Sequence, residues 1–204
     1  MDLPNELWYN VFSCLTHKSQ SKFSSLWNLH DLNIEEIELM RYSINLWFDT
    51  ARKGYIKLMK FLIKSGININ KQEIGGYTAL HCASIHGRKE IIELLIKNSA
   101  KIRIQDYYGY TALQEASIHG HKDCVELLIK AGAILDIQSN FGYTALHCAS
   151  IHNHKDCVEL LIKAGADVSI QTNDGCTALV FAIRYDHKDC IELLIESITN
   201  LNNR

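Results

Sequence analysis

Ten histidines and seven cysteines are the residues of this 204-residue chain best suited to chemistry. His119-x-His121-x-x-Cys124 and His152-x-His154-x-x-Cys157 look like metal-ligand sets, and Asp186-His187-x-x-Cys190 partly repeats them. Zinc takes about four nitrogen or sulfur ligands converging on one point. These sets recur every 33 positions (154−121 and 187−154), so along a stack of units they form rows instead of a cluster. Neither a metal nor another cofactor is expected. Nucleophilic catalysis needs a Cys, a His and an acid brought together, and none stands apart from the periodic pattern. A thiol buried in a helix stack is inert. Gly75-Gly76 reads as a turn, not a phosphate-cradling loop, and no enzyme is expected.

The elements that position these residues must come from a core, and 47% hydrophobic content is enough to build one. Twenty-one Lys+Arg against 23 Asp+Glu leave a formal net charge of -2, without the cationic excess that displaces counterions from duplex phosphates. A nucleic-acid partner is not expected. No apolar run approaches the roughly 18 residues of a membrane span, and acids stand near the N-terminus where a signal peptide carries bases. The expected setting is cytoplasmic, including a host cell's cytoplasm, with free thiols in a reducing compartment. Trp8, Trp27 and Trp47 all fall in the first quarter, and every glycine falls at Gly54 or later, which puts a boundary between about Arg41 and Gly54.

Beyond that boundary one pattern repeats. Gly76, Gly109, Gly142 and Gly175 each open Gly-Tyr-Thr-Ala-Leu, with Cys176 replacing Tyr in the last copy. The interval is 33 residues each time (109−76, 142−109, 175−142), and stepping back once more reaches a diverged copy at Ser43. The units are 43–75, 76–108, 109–141, 142–174 and 175–204, preceded by a module of residues 1–42. Each reads as helix, turn, helix and extended loop. Thr78 is placed to cap a first helix that continues through Leu80, Ala83 and Ser84. Ile91, Ile92, Leu94, Leu95 and Ile96 give the second helix an almost continuous apolar surface, which only stacking on neighbours buries. Glu126 with Lys130 and Glu159 with Lys163 are favourable i,i+4 pairs, and Gly132 and Gly165 supply the positive φ that ends such helices.

Thr78 to His81 and Thr144 to His147 (Thr-Ala-Leu-His), Gly120 to Asp123 (Gly-His-Lys-Asp) and Leu160 to Asp167 (Leu-Leu-Ile-Lys-Ala-Gly-Ala-Asp) carry a resemblance to the ankyrin repeat family. It covers Ser43 to about Ser197 and departs in having alanine where the family has Thr-Pro-Leu-His. The resemblance implies an all-α solenoid of helix-turn-helix units, hairpin-like loops projecting from one edge, and a protein-binding scaffold.

Leu3, Pro4, Glu6, Leu7, Val11, Phe12 and Leu15 resemble the first helix of an F-box, with apolar side chains at helical spacing and Pro4 near the start. The downstream half departs, only Trp27 surviving of the usual Cys-basic-x-Trp segment. This resemblance implies docking to the Skp-type adaptor of cullin-RING ubiquitin ligases through Leu3, Pro4, Leu7, Val11, Phe12 and Leu15. Chains joining an F-box to ankyrin repeats are similar to effectors of giant or pox-type viruses and of intracellular bacteria. The other reading of the same helices is a plain cap for the first unit's apolar end. The corresponding functions are a substrate adaptor for a ubiquitin ligase, or a scaffold or competitive inhibitor with no ligase.

By the ankyrin resemblance the partner face comprises the residues flanking each loop glycine and those ending each first helix. Here they are Tyr77, Tyr107, Tyr108, Tyr110, Phe141 and Tyr143 on the loops. On the helices they are Ile85, His86, Ile118, His119, Ile151, His152, Arg184 and Tyr185. Aromatics at this density are enriched in interface hot spots. Duplication is the competing explanation, since 25 of 33 positions match between 109–141 and 142–174 and one ancestral tyrosine would be copied passively. Tyr77, Tyr110 and Tyr143 are expected to form an exposed ladder along one edge. Cys190 to Glu196 keeps the apolar pattern of internal units, so the last helix is expected to leave apolar surface, Leu194 included, that pairs weakly with a second copy or frays.

Overall fold

The computed structural model describes residues 45–202 and places ten helices among them. Five short first helices, α1 (Leu46–Lys53), α3 (Ala79–Ile85), α5 (Ala112–Ile118), α7 (Ala145–Ile151) and α9 (Ala178–Arg184), pack each on the next in one row. The second helices α2 (Ile56–Lys64), α4 (Lys89–Lys97), α6 (Lys122–Lys130), α8 (Lys155–Lys163) and α10 (Lys188–Asn202) form a parallel row behind. No strand is present among the described residues, only isolated bridges between Gln72 and Thr78 and between Gln105 and Thr111. The array is all-helical. Leu3, Pro4, Leu7, Val11, Phe12 and Leu15 lie outside the described residues.

Seven-residue helices such as α3 are too short to persist alone in water, so their stability is tertiary. Small residues let them approach: Ala79, Ala83, Ala112, Ala116, Ala145, Ala149 and Ala182 are fully buried. The second row supplies most of the apolar surface, with Ile91, Ile92, Leu95, Val125, Leu128, Val158 and Leu161 at 0% exposure. Each such burial is worth about 1.5–3 kcal/mol.

Threonine starts the first helices as the sequence predicts. Thr78 accepts from the His81 amide at 3.4 Å, and Thr111 does the same from Gln114. The side chains of His81, Gln114 and His147 return a bond to the threonine amide, closing a reciprocal cap. Their far ends then cross to the next unit: His81 Nε2 reaches the Tyr110 carbonyl at 3.1 Å, His147 Nε2 the Cys176 carbonyl at 3.2 Å, and Gln114 Nε2 the Tyr143 carbonyl at 2.6 Å. One side chain both caps its own helix and fixes the distance to its neighbour.

The C-terminal end corrects one expectation. Leu194 is fully buried beside the equally buried Cys190, because it stands 33 residues after Leu161, in the inward-facing column of Leu95 and Leu128, and α10 packs along α8 and α9. Ile195, at 47% exposure, is the most exposed apolar side chain described on this helix, with Ile191, Leu193 and Ile198 half-buried, and Leu194 is core.

Candidate functional site

The loops between units are held by side-chain amides at the repeat interval. Gln72 Nε2 donates to the Gly76 carbonyl within its own turn and to the Gln105 carbonyl of the next. Gln105 repeats this on Gly109 and Gln138, and Gln138 on Gly142 and Gln171. Backbone bonds add to the ladder: Tyr107 N donates to Gly75 O at 2.9 Å, and Asn140 N to Tyr108 O at 2.9 Å. Asp106 Oδ1 fixes one turn by accepting from the amides of Tyr108 (2.9 Å) and Tyr110 (2.8 Å). Rings on this tied backbone are pre-positioned, which lowers the ordering cost of holding a partner.

The tips carry the most exposed aromatics. Tyr107 is 70% exposed, Tyr108 56%, Phe141 51% and, at the end of α9, Tyr185 52%. His86, His119 and His152 are exposed at the ends of α3, α5 and α7, while Ile85, Ile118 and Ile151 are half-buried. Arg184 is exposed and lies over the Phe181 ring at 5.3 Å.

Tyr77, Tyr110 and Tyr143 depart from the expected exposed ladder. All three are half-buried. Tyr77 lies edge-on to His81 at 6.0 Å, and Tyr143 packs against His147 at 6.2 Å and Phe181 at 5.7 Å. Burial, with nearby Glu115 as the next contributor for Tyr77, pushes the Tyr77 hydroxyl up to about 12; burial does the same for Tyr110. Tyr77 and Tyr143 are drawn against the N3 histidine of their own helix, Tyr143 also reaches Phe181 of the next unit, and Tyr107, Tyr108 and Phe141 on the other side of the loop glycines supply the accessible surface.

The histidine and cysteine rows are used internally. His121 Nε2 bonds the Ile85 carbonyl and His154 Nε2 the Ile118 carbonyl, each at 2.9 Å, and His187 bonds the Ser150 carbonyl through Nδ1 at 2.9 Å. His86 and His152 each place Nδ1 2.9 Å from a carbonyl of their own helix. Cys82, Cys124, Cys148, Cys157 and Cys190 are buried, and burial raises their thiols, to about 11 for Cys124 and Cys157. They pack as small apolar side chains. Among the described residues no group of three or more His, Cys, Asp or Glu is placed to hold a metal ion.

Two features of this region were not singled out by motif. The glutamine ladder is one. The other is Glu115, 6% exposed on α5 at the position held by Cys82 and Cys148 in neighbouring units. Burial and the nearby Asp106 carboxylate raise its carboxyl to about 7. A column-by-column comparison of the copies carries the signal for both.

Short helix pairs in two rows, with loops laced edge to edge and aromatic tips, define a linear helical-repeat scaffold. The family model described as ankyrin repeats (3 copies) matches residues 47–139 and again 131–204. The chain belongs to the ankyrin repeat family, a family of protein-interaction modules. No curated protein matches the chain in a sequence search. No helix among the described residues is long and apolar enough to cross a membrane.

Proposed function

We propose that this protein is a substrate adaptor: the loop tips and first-helix ends hold a target protein while the N-terminal segment docks on a Skp/cullin-type ubiquitin ligase in the cytoplasm. The observation that carries the binding half is the run of exposed rings, Tyr107 at 70%, Tyr108 at 56% and Phe141 at 51%, on turns joined by hydrogen bonds. Large rings held in water on a pre-ordered backbone cost little entropy to bury and favour association. The ligase half rests on Leu3, Pro4, Leu7, Val11, Phe12 and Leu15 and their likeness to an F-box. The second reading, a scaffold or competitive inhibitor with no ligase, rests on the same tips and treats the N-terminal helices as a cap.

Affinity capture with the full chain and its Phe12→Ala variant separates the two. The adaptor reading expects wild type to recover the Skp-type adaptor and cullin, and Phe12→Ala to lose them with the array's unfolding curve unchanged. Recovery of neither by wild type, with destabilisation of the array by Phe12→Ala, assigns the segment to capping.

A further inference from the structure

The first crease between units contains its own cation. Arg52, on α1, donates through Nη1 to Asp49 at 2.7 Å and through Nη2 to Glu73 on the following loop. Glu73 in turn accepts from Cys82 Sγ at 3.4 Å, so the loop acid lies over the next first helix. Adding 33 to each number describes the second crease: Cys82 takes the place of Asp49, Ile85 that of Arg52, Asp106 that of Glu73, and Glu115 that of Cys82. The loop acid is kept as Asp106, the helix acid has moved to Glu115 on the next first helix, where Asp106 raises its carboxyl, and the arginine has become isoleucine.

Among the described residues no lysine or arginine replaces it, and the one side-chain donor beside Asp106 is the neutral Tyr77 hydroxyl. Asp106 is 6% exposed, and its Oδ2 is buried without a hydrogen-bond partner, although Oδ1 is occupied by the turn. Glu115 is equally buried and has one ion-pair contact, His119 Nε2 at 3.9 Å, beyond hydrogen-bond reach. His119 is a weak counter-ion, since burial and then His121, His86, His152 and His154 hold its pKa below the ordinary histidine value. A buried acid pair without a cation is costly unless something supplies the charge.

We infer that the crease between the second and third units seats an arginine side chain of the bound partner, its guanidinium forking between Glu115 and Oδ2 of Asp106. Arginine suits the place because a planar fork serves two carboxylates at once, which a point-charge ammonium does not. Half-buried Tyr77 beside the acids offers an aromatic ring to the guanidinium. The inference rests on the reading that a partner protein covers this face, and gives that face its charge specificity.

The test titrates the full chain with acetyl-arginine amide, acetyl-lysine amide and acetyl-citrulline amide, following the ring resonances of Tyr77 and Tyr110 by NMR. Saturable shifts with arginine, weaker ones with lysine and none with the isosteric neutral citrulline are expected. Glu115→Gln should weaken arginine binding more than about tenfold, as removal of one member of a buried charge pair does. Asp106→Asn, which keeps the Oδ1 acceptor of the turn, should weaken it as well. Equal responses to arginine and citrulline, or to arginine in wild type and Glu115→Gln, overturn the inference. Selection of a random peptide library on the full chain separates this failure from failure of the parent reading. Enriched peptides with no fixed basic position overturn the arginine seat and leave the partner face standing. Peptides with a fixed arginine that disappears on Glu115→Gln support it.

Discussion

At the scale of single residues, a departure from the repeat template is compensated by its neighbours at one position and left uncompensated at another. Gly87 and Gly120 adopt φ of 65° and 68°, and a Cβ on Gly87 would come 2.7 Å from the ring of His121. Glycine therefore lets the histidine ring of the next unit lie flat enough to reach a carbonyl through Nε2. Where Asn153 takes this place at φ 58°, His187 uses Nδ1 on a different carbonyl. Glu115 is the uncompensated case. Its carboxyl, raised by burial and then by Asp106 to about 7 against an ordinary 4.5, favours folding fully only below about pH 4.5, and that contribution is lost as pH rises through about 7. Glu115→Gln should thus match wild type in unfolding free energy near pH 4.5 and exceed it at pH 8 by up to about 3 kcal/mol. Chemical denaturation at the two pH values measures this, and an unchanged difference between them contradicts it. Glu115 was not legible from motifs, because a single acid within an otherwise matching copy reads as drift until the loop acid above it is placed.

At the scale of elements, the first helices are capped and spaced by the same side chain, and the copies provide an internal control. His147 holds the Thr144 amide through Nδ1 at 3.2 Å and crosses to Cys176 through Nε2, while Gln114 makes the equivalent pair of bonds with its amide. Burial lowers the His147 pKa below the ordinary 6.5, so the ring is neutral in the folded array. Its contribution is present above the unfolded value of about 6.5 and is lost as pH falls through the lower folded value. His147→Gln should therefore keep neutral-pH stability while reducing the loss on acidification. Thermal unfolding at pH 7 and pH 5 tests this, and a variant that loses as much on acidification as wild type contradicts it. The threonine caps, helix order and ion pairs such as Glu126 with Lys130 at 2.6 Å were readable from spacing. The position of Tyr77 and Tyr143 was not: a repeat interval guarantees that equivalent rings point the same way, but only packing decides that this way is inward against His81 and His147.

At the scale of the whole molecule, stability and recognition occupy different parts of each unit. The helix rows bury Ile, Leu, Val, Ala and Cys, while the loops spend Gln72, Gln105 and Gln138 on holding one another and leave Tyr107, Tyr108 and Phe141 outside. The repeat and its family were legible because five copies fall in register without a gap, and the burial of Leu194 was legible in the same register, since it stands in the column of Leu95, Leu128 and Leu161. This division separates folding from binding. Neither ring at the tip is core, so Tyr107→Ala combined with Tyr108→Ala should leave the unfolding curve of the array within roughly 0.5 kcal/mol of wild type, as for ordinary surface changes. The measurement is the affinity of the full chain, with and without this pair of changes, for the target protein it captures. An unaltered fold with affinity reduced at least about thirtyfold is expected, as for loss of a hot spot; a doubly substituted chain that holds its target as tightly as wild type would contradict a partner face at these tips.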